Sequence, residues 1–100
     1  MISRQSVSII GPAEHKPKTS FPHGYDALKW VLPTEITEIR SGFNAYCSAL
    51  GYKPEIIAEA DDMAMLRLLV RDSGAVTALP SVVVKDEISS GRLAEYQILP

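Results

Sequence analysis

Apolar residues along this chain fall into two rhythms, punctuated by proline and glycine. Short β-branched runs read as strands: Ser6 to Ile10, stopped by Gly11-Pro12, and Leu28 to Leu32, stopped by Pro33. From Thr34 to Leu50 the rhythm changes, with apolar residues at 36, 39, 43, 46, 47 and 50. Spacings of three and four put these side chains on one face of an α-helix. Thr34 suits the N-cap, Glu35 and Glu38 suit the positive end of the helix dipole, and Gly51 suits the C-terminal cap. Ile36, Ile39, Phe43, Cys47 and Leu50 are expected to pack on a sheet. Glu55 to Ala60 predicts a third strand, and Asp61 is placed to cap a helix with Met63, Leu66, Leu69 and Val70 inside and Gly74 at its end. Ala75 to Leu79 reads as a fourth strand. Pro80-Ser81 opens a short Val-rich helix through Ile88, closed by Gly91, and Leu93 to Leu99 is the last strand. The order is strand, long loop, then β-α-β-α-β-α-β.

This alternation predicts an α/β, three-layer fold: a mainly parallel sheet of about five strands with flanking helices and right-handed crossovers. Ligands of such sheets collect outside the carboxyl ends of the strands. Here those ends are Gly11-Pro12, Pro33-Thr34, Ala60-Asp61 and Leu79-Pro80-Ser81, and three of the four also start a helix. The candidate binding edge is therefore Pro12, Thr34, Glu35, Thr37, Asp61 and Ser81. Helix-start amides there favour a small anion or polar ligand, whereas Asp61 and Glu35 favour a cation. The tract from Gly11 to about Asp26, with Pro12, Pro17, Pro22 and Gly24, is a loop with a helical turn expected near Tyr25 to Leu28.

Composition narrows the function. One hundred residues make one small domain, and 46% hydrophobic with 22% charged residues excludes disorder. Ten basic against twelve acidic residues give a net charge of -2, and the basic ones are scattered from Arg4 to Arg92. Recognition of a phosphate backbone needs a concentrated basic footprint, so this chain is not expected to bind DNA by itself. Cys47 stands alone, no apolar run exceeds four residues, and residues 1–10 lack signal-peptide character, so a cytoplasmic chain without a membrane helix is expected. His15 and His23, eight residues apart with Cys47 distant, match no metal-ligand spacing. Cys47 sits in the apolar stripe and reads as a small buried hydrophobe. The six glycines fit neither dinucleotide nor P-loop patterns. No metal, cofactor or catalytic set is expected. Asp61-Asp62 after a strand is similar to the acidic pair of receiver domains, but the later strand-end Asp and Lys are missing from Val76 to Ser81. A helix cap followed by a first-turn carboxylate is the plainer reading.

Taken in order, the segments resemble the effector-binding region of LysR-type transcriptional regulators. Val7 to His15, with Pro12 and His15, is similar to that family's strand and "P-x-x-H-P-L" stretch. Asp26 to Pro33 resembles its "D-L-x-x-x-P-W-I-L-P" approach, and Arg40 to Pro54 fits "R-x-x-L-D-x-x-F-x-x-x-G-x-x-P". Glu59, Asp62, Leu66, Val70, Pro80 and Gly91-Arg92-Leu93 follow at matching spacings. One stretch departs: where the family shows "V-x-A-G-L-G-I-A-x-L-P", Val70 to Pro80 carries Ser73 and Ala75 at the glycine positions, with Gly74 between. Glu59 to Leu66 resembles most the subgroup regulating sodium/proton antiporters. The resemblance implies the second subdomain of a periplasmic-binding-protein-like region, with half of an effector cleft. A small-molecule or ion effector, homo-oligomers, and DNA contact through a winged helix-turn-helix outside this chain follow from it. The alternatives are a half-domain of a solute-binding protein or related enzyme of the same fold, or a receiver-like signalling domain.

Overall fold

The computed structural model describes residues 7–18, 21, 23–25, 27–34 and 38–99. Five strands alternate with helices much as the apolar rhythm predicts. The strands are β1 (Val7–Pro12), β2 (Lys29–Pro33), β3 (Glu55–Ala60), β4 (Thr77–Pro80) and β5 (Leu93–Ile98). The helices are α1 (Glu38–Leu50), α2 (Met63–Ser73) and α3 (Lys85–Ser89). The expected start of α1 at Thr34 involves Glu35, Ile36 and Thr37, which lie outside the described residues. The expected third helix divides into a 3-10 turn, Ser81–Val84, and α3. Three consecutive valines restrict side-chain rotation in an α-helix, and regular helix begins only after them. Near Tyr25, the expected helical turn is a single turn closed by the Leu28 N–H donating to the Tyr25 carbonyl at 3.1 Å.

The sheet is mainly parallel as expected, with one strand reversed. β2 and β3 pair in parallel, while β1 lies between β4 and β5 and is antiparallel to both. Trp30 and Val76 bridge the two groups in parallel, with amide–carbonyl bonds of 2.9 Å from Val31 to Val76 and from Val76 to Lys29. The layer thus reads β3-β2-β4-β1-β5, with β1 alone running against the rest. Parallel pairing is demanded only of strands joined by helical crossovers. The link from β1 to β2 is a loop, and it leaves the direction of β1 open. Gly11 shows how close the packing around this central strand is. A Cβ there would fall 2.4 Å from Val76 Cγ1 and 2.8 Å from the Tyr96 hydroxyl.

Two cores fill the layers between sheet and helices. On one face, Phe43 and Cys47 of α1 meet Ile9, Trp30, Leu32, Val76 and Ala78, with Phe21 and Tyr25 of the long loop closing over them. Trp30 is fully buried and its Nε1 donates to the Tyr52 hydroxyl at 2.9 Å, which in turn donates to the Tyr25 carbonyl at 2.7 Å. On the other face, Leu66 and Val70 of α2 join Ile10, Val31, Leu79, Val84 and Leu93. Leu50, expected on the inner face of α1, is 42% exposed, because it ends the helix as the chain turns away at Gly51.

Candidate functional site

Three parallel strands, β2, β3 and β4, finish at Pro33, Ala60 and Pro80, so the next residues, Thr34, Asp61 and Ser81, follow at one edge of the sheet. The Thr34 N–H donates to the Ala60 carbonyl at 3.2 Å, tying the ends of β2 and β3 together. Thr34 and Ser81 are half-buried and Asp61 is exposed. Glu35 and Thr37 lie outside the described residues. Pro12 does not join this group. Because β1 runs in reverse, Pro12 pairs with Leu93 at the start of β5, at the opposite edge. The same reversal brings Val7 beside Pro80, and the Leu99 N–H donates to the Val7 carbonyl at 2.8 Å. The beginning of β1 and the end of β5 therefore lie at the edge that carries Thr34, Asp61 and Ser81.

The cap of α2 falls on Asp62 rather than on the expected Asp61: its Oδ1 accepts from the Ala64 N–H at 2.9 Å. Of two adjacent carboxylates, Asp62 has the spacing to the free amides of the first turn. Asp61 is left with no hydrogen-bond or ion-pair partner among the described residues, and its carboxylate is available to a ligand. Ser81 also borders a shallow groove of about 380 Å3 with Val82, Lys85 and Glu95.

Arg40, which opens the family-like stretch through Pro54, is not among the residues expected at this edge. This residue is 4% exposed and lies at the same edge, where its Nη1 donates to the Pro33 carbonyl at 3.0 Å and to the Glu59 carboxylate, while Nε donates to Asn44 Oδ1 at 3.1 Å. Its position three residues before Phe43 and seven before Cys47 puts it on the buried stripe of α1. That spacing was the available signal: a charge within an apolar stripe needs partners when buried. Arg40 anchors the start of α1 to the ends of β2 and β3, and it supplies a fixed positive charge beneath the edge.

Other candidate groups lie apart from this edge. His15 and His23 are exposed on the long loop. Cys47 is buried against the sheet, and burial pushes its thiol up to about 11, which keeps it protonated and unreactive. Among the described residues no group of three or more His, Cys, Asp or Glu side chains is placed to hold a metal ion. No described helix is long and apolar enough to cross a membrane.

Solved structures of similar architecture include a regulatory domain, an effector binding domain and a regulator bound to DNA. The apo-form regulatory domain of HypT from Salmonella typhimurium superposes with a TM-score of 0.70 at 11% identity, covering 92% of this chain and 44% of that one. The effector binding domain of QuiR, in complex with shikimate, gives a TM-score of 0.72 at 10% identity, covering 95% and 44%. Vibrio fischeri DarR, in complex with DNA, gives 0.69 at 17% identity, covering 91% and 31%. The chain spans less than half the length of each. No curated protein matches the sequence closely enough to count as a relative. The family model of the LysR substrate binding domain matches residues 4–99. That match spans every strand and helix described above, and with it the chain belongs to the LysR substrate binding domain family.

Proposed function

We propose that this chain is the effector-sensing subdomain of a LysR-type transcriptional regulator. It holds one side of a cleft for a small molecule or ion at Thr34, Asp61 and Ser81, together with Glu35 and Thr37, which precede α1 in the sequence. The observation that carries this reading is the coincidence at one sheet edge of three parallel strand ends with the beginning of β1 and the end of β5. A second subdomain joined through β1 and β5 would then face those strand ends. Hydroxyls of Thr34 and Ser81 supply donors, the Asp61 carboxylate supplies an acceptor, and Arg40 sets the local field. QuiR, which has the same fold, is solved with shikimate, and DarR is solved with DNA. In this reading DNA contact belongs to a winged helix-turn-helix outside this chain, the regulator is a homo-oligomer, and it works in the cytoplasm. The stretch from Glu59 to Leu66 supports the finer reading of a sodium/proton antiporter regulator.

Thr34→Ala and Thr37→Ala in the whole regulator test the site. The proposal expects an altered transcriptional response to effector, with stability nearly unchanged. A role in helix capping alone gives the opposite result: about 1 kcal/mol of lost stability and a normal response.

A further inference from the structure

At the edge of the sheet opposite Thr34, Asp61 and Ser81, where β1 ends and β5 begins, the surface folds into a cavity of about 410 Å3. Its floor is apolar, formed by Pro12, Val70 and Leu93, all buried. Arg71 and Arg92 stand on the walls with Glu14 and His15. The charges there are unevenly matched. Arg71 pairs with Asp72, its exposed neighbour in sequence, with Nε 3.2 Å from Oδ1, and its charge also acts on Glu87. The Glu14 carboxylate lies 3.6 Å from His15 Nε2, and Arg67, one turn before Arg71, is held by Glu87 at 2.7 Å. Arg92 has no carboxylate partner among the described residues. The walls stay open at Gly74 and Gly91, where a Cβ would meet no atom within 4 Å beyond its own chain neighbours.

We infer that this cavity binds a small monocarboxylate with an apolar body. The Arg92 and Arg71 guanidinium groups receive the carboxylate, since their planar donors match its two oxygens. The hydrocarbon part rests on Val70 and Leu93 and leaves water as it does so. Glu14 on the same wall repels a second negative charge, which selects against phosphate and dicarboxylates. The site lies at the other ends of the strands from the proposed effector edge and uses none of its residues, so either assignment can fail without the other.

Amide NMR of the full chain, titrated with benzoate, tests the inference. Benzamide serves as the uncharged isostere and inorganic phosphate as the dianion-forming control. The expected result is a saturable shift of the Gly74, Gly91 and Leu93 amides with benzoate, and none of comparable size with benzamide or phosphate. Arg92→Gln, an exchange on an exposed side chain, should weaken benzoate binding about tenfold while leaving the rest of the spectrum in place. Arg71→Gln should weaken it less. Equal shifts from benzamide, unchanged benzoate binding in both variants, or shifts absent from these amides would each overturn it.

Discussion

β1 and β3 are six-residue strands that each contain an Ile-Ile pair, yet β1 lies inside the sheet and β3 at its edge. In β1, Ile9 and Ile10 are completely buried, one in each core. In β3, Ile56 and Ile57 are 37% and 51% exposed. The difference comes from pairing. β1 has a strand on either side and helices over both faces, while β3, among the described residues, pairs only with β2. At this free edge β3 carries Glu55 and Glu59, paired with Lys29 and Arg40. Charges on an edge strand discourage further strand addition. Local composition thus declares a strand, and long-range pairing decides how much of its apolar surface is used.

The comparison breaks if the two regions respond alike to truncation. Phe43→Ala, beneath α1 with its ring 4.8 Å from that of Trp30, should cost ~3–5 kcal/mol, and Ile9→Ala in β1 ~2–5 kcal/mol, in denaturant unfolding. Ile57→Ala in β3 should stay within about 0.5 kcal/mol, as for other exposed positions. Gly11→Ala in β1 should fall between these, at about 1–3 kcal/mol from overpacking against Val76 and Tyr96.

Ionic contacts sharpen the same contrast. Glu87 on α3 is 6% exposed and accepts from Arg67 of α2, and that bond holds its carboxyl below the usual glutamate range. A lowered folded-state pKa stabilises the fold above the unfolded pKa, and the contribution is lost as pH falls through the folded value. Glu87→Gln should therefore reduce stability at neutral pH and flatten the acid limb of the stability profile. Glu55→Gln, at the exposed pair on β3, should change stability by no more than about 1 kcal/mol. Equal responses from the two variants would contradict the contrast between a buried and an exposed pair.

The element list was legible because each boundary carried a residue with a local reason. Gly51 and Gly74 end α1 and α2 in the left-handed conformation, and Phe43 and Cys47 face the core as the helical spacing indicates. The direction of β1 was illegible, because a loop imposes no handedness on the strands it joins. That one reversal moved Pro12 from the candidate edge to the opposite one. The exposure of β3 was hidden for a related reason: Glu55 to Ala60 contains nothing that tells an edge strand from a central one until its partners are known. Arg40 was visible in principle, since its spacing to Phe43 set it on the buried stripe, but its partners Pro33 and Glu59 come from two other elements.

The central claim is that the carboxyl ends of β2, β3 and β4 face the effector. Hydrogen exchange of the whole regulator, with and without the effector that changes its transcription, tests this most directly. The account predicts new protection at Thr34, at Asp61 to Ala64 and at Ser81 to Lys85, with residues 13–15 and 91–93 unchanged. Protection confined to residues 13–15 and 91–93, with the Thr34 edge exchanging as before, would contradict it.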